Sequence, residues 1–174
     1  NEQDSEVMRS RLVGEGYEPT DRIESADLIL FNTCSIREKA SHKAMSAIGR
    51  GRQLRKEGSL LAVTGCVASQ EGAALLKKAP GIDLVLGTDH IGKIAEAVRE
   101  ARTRKTVWTG FETFDYEFPV PVEIPGEKKV KAYVTIMKGC DNSCTFCIVP
   151  LTRGKEFSRN RDDILLEIHR LEEQ

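Results

Sequence analysis

Nothing in this chain is apolar for long enough to cross a bilayer. Its longest such stretch, Ala26-Asp27-Leu28-Ile29-Leu30-Phe31, carries a carboxylate and falls far short of the ~20 apolar residues that a spanning helix needs. Neither sign of charge is in excess: 26 Lys and Arg stand against 27 Asp and Glu, a formal net charge of −1. A chain-wide electrostatic footprint for nucleic acid is therefore absent. Basic residues gather only locally, at Arg50, Arg52, Arg55 and Lys56 and at Arg99, Arg102, Arg104 and Lys105, which read as solvated helix faces or as phosphate contacts. No Gly-rich phosphate loop of the GxGxxG or Walker type follows an apolar segment, so nucleotide binding by the first hundred residues is not expected. The opening run Asn1-Glu2-Gln3-Asp4-Ser5-Glu6 is polar and not a secretory leader. With unpaired cysteines and no leader, the expected compartment is a reducing cytoplasm.

Hydrophobic residues at 40% and charged residues at 30% describe a globular chain. Its first hundred residues alternate helical and strand patterns. Residues 3–15 have helical apolar spacing through Val7, Met8, Leu12 and Val13 and end on Gly16, suited to a left-handed cap. Residues 28–32, 60–64 and 82–86 are short apolar strands. Helices are expected between them: one opened by a capping box at Ser35-Ile36-Arg37-Glu38, one over residues 69–78, and one marked by Ile91, Ile94, Ala95 and Val98. Strands buried on both faces with helices between them predict an α/β fold with a mainly parallel sheet over residues 1–110. Residues 111–130, with Pro119, Pro121, Pro125 and Gly126, break the rhythm and read as a linker. Residues 131–137 then read as a strand, followed by a cysteine loop and a helix from about Asn160. One βα unit cannot bury its own apolar face, so residues 131–174 are expected to be the start of a truncated second domain, poorly packed by themselves.

The cysteines carry the chemistry. Cys140, Cys144 and Cys147 are spaced C-x3-C-x2-C. Three thiolates on one short loop suit three irons of a [4Fe–4S] cluster and leave the fourth iron open to a small molecule. A zinc ribbon more often has two C-x2-C pairs, or a pair followed by two nearby histidines; here His169 is the only downstream histidine. An odd count of five cysteines also disfavours a disulfide framework. Iron–sulfur and zinc both remain readings of the loop. Cys34 and Cys66 each directly follow a predicted strand, at the edge where parallel sheets bind ligands. They are either a second ligand pair, favoured as thiolates by the helix N-termini that follow, or small core residues. Phe146, between two loop cysteines, reads by itself as a packing residue.

These segments together resemble the radical S-adenosylmethionine (SAM) methylthiotransferases. The likeness rests on Asn32-Thr33-Cys34-Ser35-Ile36-Arg37-Glu38-Lys39-Ala40, on Thr64-Gly65-Cys66, on the three-cysteine loop, and on Ile148-Val149-Pro150-Leu151-Thr152-Arg153-Gly154-Lys155-Glu156-Phe157-Ser158-Arg159. It implies an N-terminal methylthiotransferase domain followed by the opening of a radical-SAM barrel. It also implies two [4Fe–4S] clusters: a SAM-binding one on Cys140, Cys144 and Cys147, and an auxiliary one on Cys34, Cys66 and a third cysteine. That third cysteine belongs to a Gly-Cys-Gln-Met-Asn type motif whose asparagine corresponds to Asn1. By the same likeness Phe146 lies beside the SAM adenine. Arg153, Glu156 and Arg159 read either as contacts to SAM or supports of the loop, or as surface salt bridges. The implied substrate is tRNA, at the N6-isopentenylated adenosine 37 of the anticodon stem-loop, which gains a methylthio group at C2. The implied electron donor is a flavodoxin-like protein, and the implied state is a monomer away from membranes. Other methylthiotransferases act on a different tRNA adenosine or on a ribosomal-protein aspartate; a zinc-binding RNA module is the non-enzymatic alternative.

Overall fold

The computed structural model describes residues 1–35, 38–111, 116–124, 126–127 and 130–173. The expected capping box at Ser35–Glu38 includes Ile36 and Arg37, and the linker includes Pro125; these three lie outside the described residues. In chain order the elements are α1 (Glu2–Gly14), β1 (Leu28–Thr33), α2 (Glu38–Leu54), β2 (Leu60–Gly65), α3 (Cys66–Glu71), α4 (Ala74–Lys78) and β3 (Leu84–Leu86). A 3-10 turn (Thr88–Lys93), α5 (Ile94–Ala101) and β4 (Thr106–Trp108) follow, then β5 (Met137–Lys138), α6 (Val149–Arg153), β6 (Phe157–Ser158) and α7 (Arg161–Glu172).

Helix α1 stops as its sequence dictates. Gly16 takes φ +86°, its N–H bonds the Val13 carbonyl, and the Tyr17 N–H reaches back to Leu12. This pair of bonds satisfies carbonyls that the helix end leaves open. Strands β1 to β4 form one parallel sheet in the order β1-β2-β3-β4. The period-2 alternation of β2 sorts its side chains to two cores. Leu60 and Ala62 join Val7 and Met8 of α1 and Ile94, Ala97 and Val98 of α5 on one face. Leu61 and Val63 join Ile48 of α2, Val67 and Ala68 of α3 and Leu75 of α4 on the other. The α/β class is as the sequence implies.

Several boundaries differ. The helix expected over 69–78 is two helices, because Gly72, at φ +52°, ends the first. Strand β4 escaped the sequence reading: three residues directly after the basic run ending at Lys105 show too little alternation. The strand expected over 131–137 is reduced to Met137–Lys138, and it pairs antiparallel with β6 through Met137↔Ser158 and Lys138↔Phe157. Residues 131–136 have no regular structure. Helix α7 begins where expected, with the Asn160 side chain accepting the Asp162 N–H at 2.8 Å as an N-cap. Its Leu165, Leu166 and Ile168 remain exposed, as do Ile136, Met137 and Leu151.

Gly65 sets the geometry at the end of β2. Its φ is +85°, and an added Cβ would run into the Thr33 carbonyl and lie 2.6 Å from Asn32 Oδ1. Gly65→Ala is expected to destabilise the fold by about 2 kcal/mol or more, through left-handed strain and this backbone clash. A denaturant midpoint unchanged from the parent in chemical unfolding would contradict that.

Candidate metal centres

The register between β1 and β2 ends at Thr33↔Gly65, and the next residue on each strand is a cysteine. Cys34 and Cys66 therefore leave adjacent parallel strands, which run about 4.8 Å apart, at the same carboxyl edge of the sheet. The strand ends are locked there by Thr33 Oγ1, which donates to the Thr64 carbonyl at 2.5 Å. Asn32 Nδ2 donates to the Asn1 carbonyl at 2.9 Å and to Ser5 Oγ at 2.8 Å, so the start of α1 lies at this edge too. Cys66 is buried, Cys34 is half-buried, and both are free thiols.

The three-cysteine loop hangs between β5 and α6. Gly139, at φ +72°, brings the chain so close to the other strand that a Cβ would collide with the Lys155 carbonyl. The Cys140 N–H then bonds the Gly154 carbonyl at 3.2 Å, closing the base of the loop. The Cys147 N–H bonds the Cys144 carbonyl at 3.1 Å in a tight turn, and Asn142 Nδ2 lies 3.4 Å from Cys140 Sγ. Cys144 is exposed, and Cys140 and Cys147 are half-buried. An open depression of about 420 Å³ is lined by Cys140, Cys144, Asn142, Pro150 and Lys155 among others. Phe146 is 92% exposed, so a role in packing is not what it has here.

Among the described residues, no three Cys, His, Asp or Glu side chains converge as a ready metal group. The donor chemistry nevertheless fits an iron–sulfur cluster. Three free thiols project from one loop of eight residues, next to space for an inorganic core. At the sheet edge the fit is two thiols beside one cation.

That cation is Arg153 of α6, which points at the sheet edge. Its guanidinium pairs with Asp4 of α1 at 2.6 Å and lies near enough to Cys66 for the thiol to act on its charge. Burial works against its charge, but Asp4 and then Cys66 outweigh this, and the Arg153 pKa is held above its ordinary value. Glu156 is exposed, and its backbone N–H bonds Asp141 Oδ1 at 3.0 Å across the loop base. Arg159 is a positioning group: it pairs with buried Glu167 of α7 and donates to the Thr135 carbonyl at 3.3 Å. Within the basic clusters, Arg55 pairs with Asp83, Lys56 with Asp27 and Arg104 with Glu100. Those side chains join elements of the fold, a structural use.

The cysteine pattern has known relatives. A model of the family described as Uncharacterized protein family UPF0004 matches residues 1–87, half of the chain. The chain belongs to this family. The tRNA-2-methylthio-N(6)-dimethylallyladenosine synthases of Albidiferax ferrireducens and Methylibium petroleiphilum are each 47% identical to it across its whole length. The synthase of Geobacter sulfurreducens is 46% identical across 98% of it. The chain spans 39%, 38% and 39% of the lengths of these three relatives. Among the described residues of this chain, no helix is long and apolar enough to cross a membrane.

Sequence reasoning missed the side chains that join the cysteine loop to the first sheet: Asp4, Thr88, Asp89 and Lys138. Single charged or hydroxyl residues in helical or loop segments carry no spacing signal, so only the folded structure reveals them.

Proposed function

We propose that this chain is the amino-terminal part of a tRNA methylthiotransferase that adds a methylthio group to C2 of N6-isopentenyladenosine at position 37. The observation that carries the reading is the pairing of two cysteine sets in one chain. One pair stands at adjacent strand ends and one triplet on a single loop, in a sequence alike throughout its length to the synthases above. Cys140, Cys144 and Cys147 would hold one [4Fe–4S] cluster, and Cys34 and Cys66 would share a second with a cysteine contributed next to Asn1. Asn1 lies at the same sheet edge, bonded through its carbonyl to Asn32, which supports that assignment.

When loaded, such clusters supply one-electron cleavage of SAM and a sulfur source, chemistry that no protein side chain provides and that C2 of an adenine requires. The residues of the chain bind and orient. The Cys140–Cys147 loop carries one exposed and two half-buried thiols, with an open depression beside Cys140 and Cys144 that leaves room for a small molecule. Phe146, exposed at the same loop, offers a flat ring for the SAM adenine. Arg153, paired with Asp4, brings positive charge to the sheet edge that carries Cys66. Glu156 stands at the loop base, where a contact to SAM falls within the same proposal. A flavodoxin-like electron donor, a monomeric state and a cytoplasmic site complete the proposal, as do a domain of residues 1–110, a linker of 111–130 and a second domain beginning at 131.

The experiment is nucleoside mass spectrometry of tRNA from cells lacking this gene. Loss of the 2-methylthio derivative, with the isopentenylated precursor accumulating, is expected. Unchanged 2-methylthio levels would refute the assignment.

A further inference from the structure

A polar seam joins the cysteine loop to the carboxyl edge of the parallel sheet. Its centre is an ion pair, Lys138 Nζ to Asp89 Oδ1 at 2.5 Å, with side chains 7% and 1% exposed. Lys138 lies two residues before Cys140, at the strand end from which the loop departs, and Asp89 lies in the 3-10 turn after β3. The Lys138 ammonium also stands 3.7 Å from the centre of the Tyr116 ring and 5.3 Å from that of Phe157. Two further contacts flank the pair. Thr88 Oγ1 donates to the Thr152 carbonyl at 2.7 Å, and Arg153 reaches Asp4 at 2.6 Å. The space left along the seam is about 30 Å³, lined by Asp4, Thr88, Asp89, Lys138 and Arg153 among others. That is room for about one water molecule.

A buried ion pair adds little net stability, since desolvation consumes most of its attraction, but losing one partner is severe. Such a pair serves orientation better than strength. We propose that Asp89 and Lys138 are positioning residues that hold the Cys140–Cys147 loop at a fixed distance from Cys34 and Cys66, so that the two cysteine sets act on one substrate atom. This rests on the function proposed above. Methylthiolation needs the radical and the sulfur at the same carbon, and an ångström-scale displacement between them separates SAM cleavage from sulfur transfer. SAM cleavage draws on the loop's cysteine set and not on the sheet-edge pair.

The test compares D89N, K138M and the double variant D89N/K138M in the anaerobically reconstituted full-length protein. D89N is expected to keep its iron content and its rate of 5′-deoxyadenosine formation within about twofold. Methylthiolated product per SAM cleaved should fall on the order of tenfold. The spin–spin interaction between the two reduced clusters in the EPR spectrum should weaken, and hydrogen exchange in residues 131–173 should quicken. Should a lone buried charge unfold a single variant, the double variant decides: it should regain the parent melting temperature while product coupling and spin interaction stay low. Parent-like coupling and spin interaction in a folded double variant would overturn the proposal. A parent protein that binds no iron and cleaves no SAM would instead overturn the functional reading itself.

Discussion

Replacing Cys140, Cys144 or Cys147 by alanine in the full-length protein is expected to bring 5′-deoxyadenosine formation from SAM down to background. Each thiol is one of three anchors on a loop held at its base by the Cys140 N–H to Gly154 bond and the close Gly139 crossing. A cluster that loses one of three thiolates has two protein ligands and cannot keep one defined open iron. The fold should survive, since Cys144 is exposed and Cys140 and Cys147 are only half-buried. The check is anaerobic incubation with SAM and a strong reductant, with chromatographic measurement of 5′-deoxyadenosine and circular dichroism as the fold control. Undiminished cleavage in any of the three variants would remove the loop from the reaction.

Cys34→Ala and Cys66→Ala should behave differently. Their side chains sit at the ends of β1 and β2, outside the loop, so SAM cleavage should persist while methylthiolated tRNA falls to background. Cys66 is buried against the base of α3, so its replacement should also cost about 1 kcal/mol of stability, in line with the loss of a small buried group. Cys34→Ala is the cleaner variant. Wild-type amounts of 2-methylthio nucleoside from a Cys34→Ala protein would make both residues core packing, the alternative that spacing alone left open.

Much of the first sheet was legible because its signals are local. Leu28 to Thr33 and Leu60 to Gly65 are short apolar runs bounded by polar or glycine residues, and the capping glycine of α1 is read directly from Gly16. The placement of Cys34 and Cys66 at one edge of the sheet was legible for the same reason, since each follows a strand and parallel strands align their ends. What was not legible depends on distant partners. Residues 131–137 have the composition of a strand, but only Met137 and Lys138 find a partner, in Ser158 and Phe157. β4 has just three residues and is a strand only because β3 supplies an edge. Arg153 reads from sequence as a SAM or loop contact or as a salt bridge; its pairing with Asp4 depends on a packing that brings together positions 149 residues apart.

On the proposed reading, the chain carries two cysteine sets, one for each of two iron–sulfur clusters. Metal and sulfide analysis of the protein after anaerobic reconstitution, with its absorption spectrum, tests this most directly. Iron and acid-labile sulfide in equal amounts are predicted, with a broad band near ~400 nm and about four irons lost on replacing Cys140, Cys144 and Cys147 together. Stoichiometric zinc in place of iron, unaffected by anaerobic handling, would contradict the account and leave a structural zinc loop in its place.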